Sequence, residues 1–390
     1  MRIFEIDKTL IEVESNMIST NTSFDDRIRM YEFTHEGVAR DEILEVCKTL
    51  PYTEFKIILD FSLHDFPILY SDYLEIQKLS NNFFIISCNW RIIEHENHAF
   101  FDPKLYKFDS QKEIFKKQVD MMSFLYTKNI GYIKPKKFIN LTNHIRRERV
   151  QMLDSIYSHK NDGYIAFPNP NEIDDEVRGC DESTGGWIAT NLLLENSNFK
   201  TDLPIRFDFK KSTSNSGEHL NDSFVIENDE TVIAKELENV GLEFNYGMYL
   251  TSYLDIFSET YYSKNWEDDE YVDNLIHSSE KTINPLWAHL PLLCLDSKDK
   301  MMYMEKFGFS FECPLHTPKY IDEMEPSDEK TKAFNEFVVD ILKKDITEIH
   351  DIYIKYYLEF QHNFHIMTTR FTREFVNQKI QLWLENTYQH

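Results

Sequence analysis

Between Lys137 and Phe167 the hydrophobic period of the chain changes twice, and this limits the fold more than any other feature. "KFINLTN" opens as a β-rich apolar run. "HIRRERVQMLDSIYSHK" then carries Ile145, Val150, Leu153, Ile156 and Tyr157 on one helical stripe. "GYIAF" returns to a strand-like run. Strand, amphipathic helix and strand in so short a span make a βαβ crossover, which joins parallel strands. A sheet built this way is covered by helices on both faces.

The first third follows the same logic. "MRIFEI", Glu54 to Phe61 and "NNFFIISC" read as strands, and Tyr70 to Lys78 as a helix between the last two. "QKEIFKKQVDMMSFLY" has Ile114, Phe115, Val119, Met122 and Leu125 at helical spacing. A break at "TKNIGYIKPKK" holds Gly131 and Pro135 and reads as the crossing between two domains. Further on, "YLDIFSE" and "PLLCL" read as strands, "EKTINPLWAHL" as a helix, and "KDKMMYMEKFGF" as a short helix stopped at Gly308. Helices are expected around Lys330 to Lys343, Glu348 to Phe360 and Phe371 to Trp383. The expected division is 1–133, a first Rossmann-like domain; 134–346, a second, with a turn-rich insert near 168–223; and 347–390, helices that pack across both.

A chain of 390 residues suits two domains, and its 42% hydrophobic content excludes global disorder. The 67 acidic residues against 42 Lys and Arg give a net charge of −25. This opposes broad binding to nucleic acid or anionic membrane, though it leaves room for one basic groove. "KPKK" (Lys134, Lys136, Lys137), Arg91 and Lys104 are the candidates for that groove. The five cysteines, Cys47, Cys88, Cys180, Cys294 and Cys313, form no CxxC pair, so they read as reduced core residues. The first residues lack the apolar stretch of a secretory signal, and no run reaches the ~20 apolar residues of a membrane span. The expected location is the cytoplasm.

Three constellations can carry chemistry. Arg146, Arg147 and Arg149 stand at the start of a helix after a strand. Cations there oppose the helix dipole, so they call for an anionic ligand or for a charge partner such as Glu148. A diphosphate clamp by Arg146 and Arg149 and a solvated charged face are both open. At "SSEKTINP", Ser278 or Ser279 caps a helix whose first turn holds Glu280, Lys281 and Thr282. The carboxylate can accept ribose hydroxyls and its two neighbours can hold phosphate oxygens, or the segment is a plain capped helix. Asp60 ends an apolar strand, with His64 and Asp65 in the next loop. Asp60 can serve as a general base tuned by His64, or as a cap on the next helix. "HENH" (His95 to His98) lacks the spacing of a helical zinc motif, and the pairs Asp174–Asp175 and Asp268–Asp269 read as solvated loops. No tightly bound metal is expected, while Mg²⁺ can assist.

The order of these segments resembles a phage and giant-virus family of GT-B glycosyltransferases. The residues that carry the likeness are Ser279 to Thr282 with Pro285 and Leu286, then Pro291 to Leu293, then Phe307 to Phe309, then Tyr320 to Asp322, with His362 and Asn363 later. Upstream, "INLTNHIRRERVQMLDSIY" and the strand end Phe257 to Glu259 resemble the family's arginine segment and its "SE" strand end. The likeness runs over about 138–363; the 168–223 insert has no counterpart in it. It implies two Rossmann-like domains facing a cleft, with a nucleotide-sugar, UDP-linked by expectation, held by Arg146, Arg149, Glu259, Glu280, Lys281 and Thr282. It also implies an acceptor like that of the DNA glucosyl- and arabinosyltransferases of T-even-like phages, the hydroxymethyl group of a modified pyrimidine in double-stranded DNA. A glycan, protein or small-molecule acceptor fits the acidity more easily, and a non-catalytic acidic binding protein or DNA mimic is a third reading.

Overall fold

In a computed structural model the chain is an α/β protein with two sheets of mainly parallel strands, compatible with a two-domain Rossmann-like arrangement. The structure describes residues 5–6, 10–12, 28–33, 43–61, 68–100, 133–142, 145–168, 186–205, 246–259, 262, 275–276, 278, 280–370 and 373–387.

The first sheet has strands β1 (Glu5–Ile6), β2 (Leu10–Glu12), β3 (Ile28–Phe33), β4 (Lys56–Asp60), β5 (Phe83–Ser87) and β6 (His98–Phe100), side by side in that order. The pairs β1–β2 and β2–β3 are antiparallel, and β3 to β6 run parallel. Because β3, β4, β5 and β6 advance in one direction, right-handed crossovers place their helices on one face. Helices α1 (Ile43–Thr49) and α2 (Tyr70–Leu79) lie there, with Ile43, Cys47, Tyr73 and Ile76 packed on Ile57, Leu59, Phe83 and Ile85.

Such winding leaves the opposite face of the sheet uncovered by its own crossovers. Met30, Ile58, Phe84, Ile86 and Ala99 fill it, and the far end of the chain covers them. The last helix, Arg373–Thr387, sets Val376, Ile380 and Trp383 against these residues, with Trp383 5.3 Å from Phe84 ring to ring.

The second sheet has β7 (Lys136–Leu141), β8 (Gly163–Ala166), β9 (Ser252–Ser258) and β10 (Leu292–Leu295), all parallel, in the order β10-β9-β7-β8. The step from β7 to β8 and the step from β9 to β10 run in opposite directions. Right-handed crossovers then put their helices on opposite faces. Helix α3 (Arg147–Ile156) buries Val150, Leu153 and Ile156 on one side, in a cluster shared with Leu254, Ile256 and Leu293. Glu280–Trp287 buries Ile283, Leu286 and Trp287 on the other, with Phe257, Leu292 and Cys294. The alternation along β9 and β10 is the period-two signature of a sheet buried on both faces.

Between β8 and β9 the described α-helices are α4 (Gly186–Glu195) and α5 (Tyr246–Thr251); Glu280–Trp287 is α6. After β10 come α7 (Lys300–Phe307), α8 (Lys319–Asp322), α9 (Asp328–Leu342), α10 (Ile346–Lys355), α11 (Tyr357–Arg370) and α12, the helix on the first sheet. Gly308 ends α7 as expected: its φ of 113° is left-handed, and its N–H bonds back to Met304 and Glu305. Ser327 caps α9 by accepting from the Lys330 N–H.

The two sheets share a packed joint. Trp90 donates its backbone N–H to Ile276 (2.8 Å) and its indole N–H to Ser278 (2.7 Å). Cys88, Trp90, Ile93 and Phe100 belong to the same apolar cluster as Phe257, Leu286, Met304 and Phe307.

Candidate functional site

In an open parallel sheet, ligands bind at the carboxyl ends of the strands, where successive crossovers leave in opposite directions and open a crevice. The strand order gives one such point here, between β7 and β9. β7 ends at Leu141 and leads to Arg146, the N-cap of α3; β9 ends at Ser258 and leads to Glu259. The residues that the sequence proposed for anion binding therefore flank the switch point.

Arg149 is buried. Its Nε donates to the Ser258 hydroxyl at 3.0 Å and an Nη to the Ser258 carbonyl at 3.4 Å. The Ser258 hydroxyl in turn donates to Glu148 Oε1 at 3.2 Å. Arg146 is buried beside them at 7% exposure, so the solvated-face reading of this segment is corrected. Only Arg147 turns outward, where it pairs with Asp328 of α9 at 2.5 Å.

On the other side of the β9 end, Glu259 accepts from the Thr282 hydroxyl and, at 3.2 Å, from Lys300 Nζ. Lys300 also donates to the Thr282 hydroxyl at 2.6 Å and to Asp296. All four residues are at most 5% exposed. Burial pushes the Asp296 carboxyl up to about 6 despite Lys300; burial pulls the Lys300 amine down, and Asp296 and Glu259 more than offset this, so its net shift is upward. Next door, Asp322 caps the start of α7 through the Met301 N–H, and burial raises its carboxyl to about 6.

Neither Lys300 nor Asp296 was singled out from the sequence. The available signal was an Asp and a Lys four residues apart directly after an apolar strand, Asp296 following Leu295 of β10. Ser258 and Glu259 leave the strand on opposite sides, as successive residues must. One joins the arginine group and the other the lysine group, so both groups border the same strand end.

Of the remaining candidates, Lys281 is half-buried in the first turn of α6 and bears electrostatically on Asp255 inside β9. Glu280 begins that helix, but its side chain lies outside the described residues, as does His64 altogether. Asp60 ends β4 as expected, buried at 2% exposure in the first sheet. By the pleat it follows Ile58 on the face that α12 covers.

Lys134 is corrected as a residue of the basic groove. Lys134 is buried, its amine bonded to the Ser252 carbonyl at 2.7 Å and set over the Tyr353 ring at 4.6 Å; burial pulls its pKa far down. Lys136 and Lys137 bond to the carbonyls of Asn161 and Leu342. All three stand at the amino ends of β7 and β9, the opposite edge from the switch point. Arg91 stacks over Tyr70, and Lys104 lies outside the described residues.

"HENH" is a strand entry: His98 starts β6 and meets the Ser87 hydroxyl at 3.0 Å, with burial lowering its pKa to about 3. Among the described residues no three His, Cys, Asp or Glu side chains converge on a possible metal position. Cys47, Cys88, Cys294 and Cys313 are buried free thiols, and Cys180 lies outside the described residues. No described helix is long and apolar enough to cross a membrane.

No family model matches the chain, and comparisons with curated proteins and with solved structures give no match. The class defined by fold and site is therefore an α/β protein with a polar, buried cluster at a topological switch point.

Proposed function

We propose that the protein is a nucleotide-sugar-dependent glycosyltransferase of GT-B type, with a UDP-linked sugar as donor. The observation that carries this reading is the siting of Arg146 and Arg149 at the start of α3 on the switch point, beside the Glu259–Thr282–Lys300 group. Arg146 and Arg149 bind the diphosphate, and Glu280, Lys281 and Thr282 at the start of α6 bind ribose and phosphate. Glu259 and Lys300 fix the Thr282 hydroxyl. In the transfer step, Asp60 takes the proton of the acceptor hydroxyl and His64 tunes it. The acceptor oxygen forms a bond to the anomeric carbon, and the bond from that carbon to the diphosphate breaks. The arginines hold the negative charge that leaves with UDP.

The joint between the sheets supports a shared cleft. Asn89 and Trp90, just beyond the carboxyl end of β5, bond to Ile276 and Ser278, just before α6. Loops from the carboxyl edges of both sheets thus meet. The acceptor we propose is the hydroxymethyl group of a modified pyrimidine in DNA, flipped from the duplex to reach the site. The net charge of −25 favours the second reading, a glycan, protein or small-molecule acceptor.

Calorimetry against UDP tests the donor site. Arg146→Ala is expected to weaken binding about tenfold to a hundredfold, the worth of one charge-assisted hydrogen bond. Unchanged affinity removes the clamp. Mass spectrometry of hydroxymethylated DNA digested after incubation with a panel of nucleotide-sugars tests the acceptor. Asp60→Asn should keep UDP affinity and lose about 10²–10⁴-fold in transfer rate; a normal rate makes Asp60 structural.

A further inference from the structure

Glu148 is a buried charged group at the switch point with one carboxylate oxygen unsatisfied. Its side chain is fully buried, at 0% exposure. One carboxylate oxygen, Oε1, accepts from Ser258. The other, Oε2, is buried with no hydrogen-bond partner among the described residues. Arg149 does not fork onto the carboxylate: its nearest nitrogen is 3.9 Å from Oε1, and Nε and one Nη go to Ser258. A buried acceptor left unmade costs about 1–3 kcal/mol, more when charged, so native structures seldom keep one without a use.

We propose that Glu148 Oε2 accepts a hydrogen bond from a hydroxyl of the molecule bound at the switch point, which makes Glu148 a ligand-binding residue. An ionised carboxylate only accepts, so the group that meets it must donate. Arg146 at the N-cap and Arg149 in the first turn of the same helix, both buried, supply positive charge that favours an anionic group in the same molecule. A molecule that offers both is a phosphorylated polyol. This inference rests on the nucleotide-sugar reading and deepens it: the hydroxyl belongs either to the ribose or to the transferred sugar.

The test is calorimetric titration of wild type, Glu148→Gln and Glu148→Asp with UDP, with a UDP analogue lacking both ribose hydroxyls, and with UDP-glucose. Gln keeps the shape and removes the charge. Asp keeps the charge and withdraws the oxygen by one carbon, so at least one variant should retain the fold, checked by circular dichroism. If ribose is the donor, both variants bind UDP about tenfold to a hundredfold more weakly than wild type, and the analogue binds all three proteins alike. If the sugar is the donor, only UDP-glucose affinity falls. Equal affinities of folded variants and wild type for all three ligands overturn the role of Glu148 and leave the donor reading standing. Failure of wild type to bind any of them overturns both.

Discussion

Arg149→Ala separates the structural work of the switch-point arginine from its proposed ligand work. In the native fold the guanidinium makes hydrogen bonds to Ser258 at 3.0 and 3.4 Å and supplies positive charge beside Glu148. Truncation leaves the Glu148 carboxylate at 0% exposure without that charge. Removing one partner of a buried ion pair costs about 3–5 kcal/mol, mostly because the remaining ion is stranded in a poor solvent. The Ser258 contact by itself falls in the range of about 1.5–3 kcal/mol for a hydrogen bond to a charged group, and is part of the same loss. Neutralising the stranded ion should recover much of it. The double variant Arg149→Ala with Glu148→Gln is therefore expected to be more stable than Arg149→Ala alone, with a coupling of about 1–3 kcal/mol. UDP affinity should remain low in both, because neither restores a cation. The assay is urea unfolding followed by tryptophan fluorescence, with calorimetry for UDP. An Arg149→Ala protein within about 1 kcal/mol of wild type would refute the reasoning, since the buried charge would then have another counter-ion.

Two further perturbations test the frame around the site. Trp383→Ala removes a ring at 2% exposure that packs on Phe84 and is expected to cost about 3–5 kcal/mol in urea unfolding; a loss under about 1 kcal/mol would mean that α12 does not hold the first sheet. Asp255, inside β9, has its carboxyl pushed up to about 7 by burial, against the hydrogen bond from Tyr249 and the charge of Lys281. Unfolding returns it to the ordinary value of about 4, so between these pH values the native state holds the extra proton and stability falls as pH rises. Asp255→Asn should gain on wild type by about 3 kcal/mol between pH 5 and pH 8; parallel pH profiles of the two proteins would show that Asp255 ionises normally.

The second sheet was legible because each element announces itself locally. The apolar run at Phe138, the stripe from Ile145 to Tyr157 and the returning run at Tyr164 became β7, α3 and β8. Gly308 stopped its helix where only a residue tolerant of positive φ fits. β6 was not legible, for it is three residues long and begins with a histidine that pairs with Ser87. The burial of Lys134 was hidden for a different reason. A charged residue in a basic run reads as solvated, and only the fold brings Ser252, Tyr253 and Tyr353 around its amine. The candidate site shows the same division. Arg146, Arg149 and Thr282 stood out by their place near helix starts, whereas Lys300 and Asp296 acquire meaning only when β10 is set beside β9.

Strand order is the long-range fact that no local pattern encodes, and it divides the labour between the sheets. Strands β3 to β6 wind one way, so that half has no switch point among its described parallel strands and leaves one face for α12 to cover. Strands β7 to β10 wind both ways, so that half makes the crevice, and its two crossover helices bring unlike chemistry to opposite sides of one strand end. A crevice at the carboxyl edge of the second sheet follows from winding alone, and the proposed donor site uses it. The proposed acceptor site near the first does not; it depends on the Trp90–Ser278 joint, which holds the two carboxyl edges together. Trp90→Phe keeps an aromatic ring in the apolar cluster, at the cost of some packing volume, and removes the indole hydrogen bond. It should leave UDP affinity intact and lower transfer, and equal transfer rates would mean that the joint orients nothing.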